Sequence, residues 1–328
     1  MTEFGYALSS EQHPPSDLVR YARRAEETGF EFVMISDHYH PWIDRQGHAP
    51  FAWAVLGGVA SVTKRIRVGT GVTCPIMRIH PAIIAQAAAT VASMMPGRFF
   101  LGVGTGENLN EHILGDGWPS IAVRREMLEE AVEVIRELWT GEDVEFYGDY
   151  FNVEHARIYD VPKPLPPIYV AAAGTRSAEL AGAIGDGFIS TGPLSEVVDE
   201  FKSERDERRP KYAEVTVCYD EDEAKARKVA REVWPNAGVP GELSQELPLP
   251  RHFEQTSKTV SEDEIAKVIA CGPDPGRYVQ MIRTYEDAGF DHLYLHDVAA
   301  DQEEFFGFCE RELLPRLRRG DARRRGAA

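Results

Sequence analysis

Cysteine is scarce and scattered. The chain has four in 328 residues, Cys74, Cys218, Cys271 and Cys309, with no CxxC pair. That excludes a disulfide framework and the usual structural zinc spacings, and it fits a reducing, cytoplasmic setting. No long apolar run is present. The start MTEFGYALSSEQHPP has neither a basic nor an apolar segment, so no membrane span and no export signal are expected. Basic charge is in short supply: 36 Lys and Arg face 53 Asp and Glu, a net charge of −17. Phosphate repulsion would go unanswered, which argues against a nucleic-acid partner. The basic tail RLRRGDARRRGAA reads as a solvated end. No GxGxxG sits at a first strand–helix turn, which argues against a doubly wound dinucleotide-binding sheet; LGVGTGE is glycine-rich but lacks that spacing.

What is there is a recurring unit. AEETGFEFVMISDH, MMPGRFFLGVGTGE, LAGAIGDGFIST and YEDAGFDHLYLHD each run from a helical segment through glycine into a short apolar block. The glycines at 29, 97, 185 and 289 suit helix C-terminal caps. The blocks are continuously apolar rather than alternating, as in parallel strands covered on both faces. Strands are expected at residues 4–9, 32–36, 65–72, 98–104, 167–173, 187–191, 213–219 and 292–297, with helices over 122–139, 176–184 and 302–318. This alternation predicts an α/β (β/α)8 TIM barrel, one domain over residues 1–328. Two segments break it. Residues 140–165 read as a small β excursion and 235–262, rich in Pro, Gly and Glu, as an insertion loop of the kind that covers a site.

A barrel carries its site at the C-terminal ends of the strands. Those ends place Glu11 after the first strand, Asp37, His38, His40 and Trp42 after the second, and Thr73 and Cys74 after the third. The fourth is followed by Gly104, Thr105, Gly106, Glu107 and Asn110, the fifth by Ala173, Gly174, Thr175, Arg176 and Ser177, the sixth by Thr191 and the last by His296 and Asp297. His38 is the natural general base, since its free pKa lies near neutrality; the plainer reading is a structural hydrogen bond. Glu107 is either an acid at the mouth or a solvated carboxylate at a helix start. Gly174 to Ser177 opens a helix whose free N–H groups favour an anion, with Arg176 as counter-charge; the plainer reading is an ordinary turn capped by Thr175. Asp37, His38 and His40 lack a further ligand set at metal spacing, so no metal is expected.

SDHYHPW, GHAPF, GTGVTCP, HPAIIAQAAAT, LGVGTGENLNE, YGDYFNVEHARIYDVP and GDGFIST resemble the luciferase-like superfamily. Within it they look most like the F420-dependent glucose-6-phosphate dehydrogenases. The resemblance spans nearly the whole chain. It implies a (β/α)8 barrel, a homodimer, and the deazaflavin coenzyme F420 bound at the strand C-termini. By position His38 and Glu107 match the family's active-site histidine and glutamate, Trp42 a tryptophan at the reaction centre, and Glu11 a carboxylate near the substrate. Asp37, Cys74, Thr105, Gly106, Asn110, Ala173, Gly174, Arg176 and Ser177 match cofactor contacts, and Gly71–Val72 a non-proline cis peptide. Cys74 replaces a familiar threonine and Ala173 a glycine.

One departure matters. Three cations that hold the sugar phosphate in the family align with Leu194, Ser244 and Val268, while Thr191 beside them is kept. Arg251, Lys258 or Lys267 could substitute only if the insertion loop folds differently. A dianion in a partly buried pocket needs charged donors. The expectation is an F420-dependent dehydrogenase acting on an unphosphorylated sugar or alcohol. The alternatives are a sugar-6-phosphate dehydrogenase or an FMN-dependent monooxygenase of the same superfamily, and a non-catalytic F420 carrier.

Overall fold

The structure, a computed structural model, describes all residues except 1, 205, 207, 240 and 326–328. Strands β1 (Glu3–Leu8), β2 (Phe32–Ile35), β3 (Arg67–Thr70), β4 (Phe99–Val103), β5 (Val144–Tyr147), β6 (Asn152–Ala156), β7 (Ile168–Ala171), β8 (Gly187–Ser190), β9 (Lys211–Cys218), β10 (Ala270–Cys271) and β11 (His292–Asp297) follow in chain order. β1, β2, β3, β4, β7, β8, β9 and β11 pair in parallel, and β8 pairs with β9 to close the ring. Helices join successive strands outside it, giving the expected (β/α)8 barrel. Gly29 and Gly289 cap their helices at φ 96° and 102°, values that only glycine adopts freely. Gly185 differs from the expected cap. Its backbone is extended, and a Cβ there would sit 2.7 Å from the Ala181 carbonyl oxygen.

The barrel interior is aromatic at its floor. Phe32, Phe100, Tyr169, Tyr212 and Tyr294 pack there with Ala7, Met34 and Ile189. Gly5 and Gly69 make room, since a Cβ at either would collide with the rings of Phe32 and Phe100. Burying each large side chain contributes about 1.5–3 kcal/mol. Strand alternation then points Ser9, Ser36, Gly71, Gly104, Ala173 and Thr191 into the same interior, higher up, at the strand ends. Seen from above, the aromatic floor is overlain by small residues.

The 140–165 segment is a β5–β6 antiparallel hairpin, as expected. The 235–262 segment is not a loop. It folds into short helices, Leu243–Glu246 and Pro250–Thr256 with 3-10 turns beside them, and leads through Glu262–Val268 into β10, which adds to β9 outside the ring. The expected 302–318 helix begins at Gln302, passes through a π turn at Cys309–Leu313 and continues to Arg325. The basic tail is therefore helical that far, and its last three residues lie outside the described ones.

Candidate active site

The β2 end supplies the first cluster. His38 is buried and its Nδ1 lies 3.2 Å from Glu11 Oε1 and 3.3 Å from the His40 carbonyl oxygen. Both neighbours are acceptors, so Nδ1 carries the proton and Nε2 is the free nitrogen of the neutral ring. Glu11 is itself held: Ser36 and Ser9 donate to its Oε2 at 2.7 and 2.9 Å. Burial pushes the Glu11 carboxyl up, but His38 and the Ser36 bond overcome it and the net shift is downward. Trp42 stands edge-on to His38, with ring centres 5.1 Å apart. Phe253 of the insertion stands edge-on to Trp42 at the same distance. The insertion thus covers the site by packing on its tryptophan.

The second cluster ties β2 to β4. Asn110 Oδ1 accepts the backbone N–H groups of Tyr39 and His40, and its Nδ2 faces Glu107 Oε2 at 3.4 Å. His40, which had no evident task in the sequence, places Nδ1 2.9 Å from the Leu109 carbonyl oxygen and stacks on His112. It braces the two loops. Glu107 stands half-exposed at the N-terminus of the short helix Asn108–Glu111.

Asp37 is fully engaged below this. Thr73 donates to its Oδ2 at 2.7 Å and Arg78 to its Oδ1 at 3.0 Å. Arg78 also lies against Glu111, whose buried carboxyl is pushed up to about 7, chiefly by desolvation. Neither residue 78 nor 111 stood out in the sequence, because each becomes informative only once the β3 and β4 loops meet. Gly106 has φ 74°, and a Cβ there would lie 2.6 Å from Cys74 Sγ and 2.9 Å from Glu111 Cγ. The buried Cys74 therefore packs under a position that must be glycine. Gly71–Val72 is a cis peptide; a Cβ on Gly71 would meet Met34 at 3.1 Å, and one on Gly104 would meet Val72 at 2.8 Å. These small, crowded positions leave backbone exposed for a flat ligand to approach.

On the far side the helix Thr175–Ile184 is capped by Gly174, not by Thr175, and without a side-chain bond. Arg125 donates to Ser177 Oγ at 3.2 Å, with Arg176 close enough to lower the Arg125 pKa, after desolvation. An unpaired helix start flanked by two guanidiniums suits an anion. Ala173 and Thr191 are exposed at neighbouring strand ends, and the Thr191 carbonyl oxygen accepts from Tyr285.

His296 and Glu214, on β11 and β9, join the site from the floor, with Nδ1 of His296 2.9 Å from Glu214 Oε1. Glu214 escaped notice in the sequence, although it is the lone charge within the expected strand 213–219, and that was its signal. Among the described residues no group of three or more His, Cys, Asp or Glu is placed to hold a metal, and no helix is long and apolar enough to cross a membrane.

The family model for luciferase-like monooxygenases matches residues 1–292. The chain is 39% identical over 97% of its length to the F420-dependent glucose-6-phosphate dehydrogenase of Amycolatopsis mediterranei, covering 99% of that protein. It is 40% identical over 96% to the enzyme of the same name from Nakamurella multipartita, covering 96% of it. Among solved structures, an F420-dependent secondary alcohol dehydrogenase in complex with an F420–acetone adduct superposes with a TM-score of 0.88 at 32% identity, covering 94% of this chain and 97% of that one. An F420-dependent tetrahydromethanopterin reductase from Methanopyrus kandleri, at 22% identity over 96% and 99% of the two chains, shares the fold with a TM-score of 0.78. With a family model matched across most of its length and relatives aligned from end to end, the chain belongs to the luciferase-like monooxygenase family.

Proposed function

We propose that this protein is an F420-dependent oxidoreductase that oxidises a CH–OH group of a sugar or alcohol. The observation that carries the reading is His38, whose Nδ1–H is shared by Glu11 and the His40 carbonyl, leaving Nε2 to take a hydroxyl proton. Glu11 stabilises the imidazolium that results, and Glu107 and Trp42 complete the reaction centre. When bound, the deazaflavin supplies the hydride acceptor, its C5 carbon. The crowded positions Gly71, Val72, Cys74, Thr105 and Gly106 fit its flat ring. Asp37 and Asn110 hold the loops around it, and Ala173, Gly174, Arg176 and Ser177 fit its anionic tail. Titration with F420 and with FMN, followed by fluorescence, tests the cofactor. F420 is expected to bind and FMN not; the reverse would overturn the reading in favour of a flavin monooxygenase.

For the substrate, the names of the curated relatives favour a sugar 6-phosphate, glucose 6-phosphate first, over the unphosphorylated compound expected from the sequence. One observation favours the second reading. Leu194 and Val268, at two of the positions where the resemblance puts phosphate-binding cations, are exposed apolar side chains, and Ser244 at the third carries no charge. Steady-state F420 reduction with glucose 6-phosphate, glucose and a secondary alcohol side by side decides. A higher kcat/KM for the phosphate supports the first reading, and no preference for it the second. Thr191 would face the substrate in either case. We further infer a cytoplasmic homodimer.

A further inference from the structure

His296 is 3% exposed, yet both of its ring nitrogens meet acceptors. Nδ1 lies 2.9 Å from Glu214 Oε1, and Nε2 lies 2.7 Å from Gln12 Oε1. The Gln12 amide cannot be turned to offer its NH2 instead. That NH2 already donates to the Val298 carbonyl oxygen at 3.2 Å, and after a flip two oxygens would face each other. A neutral imidazole has one N–H, so one contact would be acceptor against acceptor. Two N–H groups satisfy both.

Gln12 belongs to the turn after β1, closed by its N–H to the Ser9 carbonyl oxygen at 3.3 Å. Glu11 sits in that turn and is the carboxylate that meets His38 Nδ1. The ring of His296 is fixed from above by Trp234, which ends the helix Glu223–Val233 just before the insertion, edge-on at 4.3 Å. The other charged or titratable groups around it are Glu214 on β9, Glu11 and His13 beside the turn, and Asp297 on its own strand. Asp297 is turned away, its oxygens taken by the Tyr219 N–H and the Gln302 amide.

We propose that His296 is a positioning residue for the alcohol-oxidising site: held as an imidazolium between Glu214 and Gln12, it fixes the turn that presents Glu11 to His38. It acts in two ways. The Gln12 bond pins the turn in place. The positive charge favours ionised Glu11, which lowers the Glu11 pKa after the larger effects of His38 and Ser36. The catalytic part of this inference rests on the function proposed above; the charge state and the bond to the turn do not.

The test uses the full chain with 15N-labelled histidine, His296→Gln supplying the assignment. At neutral pH both His296 nitrogens are expected at imidazolium shifts. A neutral His296 tautomer overturns the proposal. A second variant, Gln12→Ala, keeps both charges and cuts the bond to the turn. It is expected to lower kcat roughly tenfold or more while the Kd for F420 holds. Unchanged kcat in Gln12→Ala would remove the positioning role. Absence of alcohol oxidation in the wild type would strike the proposed function alone, since the nitrogen shifts need no turnover.

Discussion

His38 owes its tautomer to two acceptors on one side, Glu11 and the His40 carbonyl, and that arrangement makes the free nitrogen a base. His38→Ala is expected to lower kcat by about 10²–10⁴-fold, the usual worth of general-base catalysis, with F420 affinity within a few-fold of wild type. Single-turnover F420 reduction and a fluorescence titration measure the two quantities separately, and full turnover would remove His38 from the mechanism. Asp297 makes a different prediction. It is buried, and desolvation pushes its carboxyl up to about 7 from an ordinary value of 3.8. The folded state therefore holds a proton that the unfolded chain releases between those values, and this residue's contribution to stability falls as pH rises through that window. Asp297→Asn removes the ionisation. Its urea-unfolding free energy relative to wild type is expected to improve steadily from pH 4 to pH 7. A constant difference would mean that Asp297 does not titrate in that window. At this scale much was legible in the sequence: His38, Glu107 and Trp42 stand at strand ends that the apolar blocks located. Gln12, Arg78 and Glu214 were not, because their roles depend on partners up to 286 residues away.

At the scale of elements, the barrel strands announced themselves by continuous apolar blocks, and their observed bounds fall within a few residues of those expected. The insertion did not. Its helices are short, Leu243–Glu246 and Pro250–Thr256, below the length at which periodicity or intrinsic propensity speaks. They exist because other elements hold them. Arg124, fully buried and stacked over Trp118 at 4.0 Å, reaches Gln245 and Glu246 from the helix Ile121–Leu138. Phe253, also fully buried, packs with Ile43, Leu109 and Trp42. Phe253→Ala should cost about 3–5 kcal/mol of local packing and release Trp42 from its edge-on support. Because the insertion is peripheral to the barrel ring, the loss should appear as faster proteolysis within residues 235–262 and a raised KM for substrate, with the main thermal transition moved less. A fall in F420 affinity as large as the rise in KM would show that the insertion serves the cofactor rather than the substrate side.

At the scale of the molecule, a net charge of −17 means that two copies repel unless the face they share carries no charge. Such a face exists. From Phe51 to Thr63, and again from Ile79 to Gly97, the chain has no Asp, Glu, Lys or Arg. The helices Ala52–Val62 and Pro81–Met94 that these segments form pack beside each other on the barrel's outside. Their outer surface keeps Phe51, Ile83 and Met94 at least half exposed, at 54%, 56% and 50%. The neighbouring helix Ile121–Leu138, by contrast, exposes Glu126, Glu129, Glu133, Arg136 and Glu137 on its outer face, as a solvated barrel helix does. An uncharged pair of helices with large apolar side chains facing out costs solubility in a monomer, and it is the face on which the homodimer proposed above would dock, apolar side chains of one copy against those of the other about a two-fold axis. Ile83→Glu places a carboxylate in that face twice over, once from each copy, without touching the core. Light scattering after size exclusion should then give the dimer mass for wild type and the monomer mass for the variant at the same micromolar concentration, with unchanged far-UV circular dichroism. A variant that stays dimeric would move the interface elsewhere, and a wild type that runs as a monomer would leave the bare helical face without its partner.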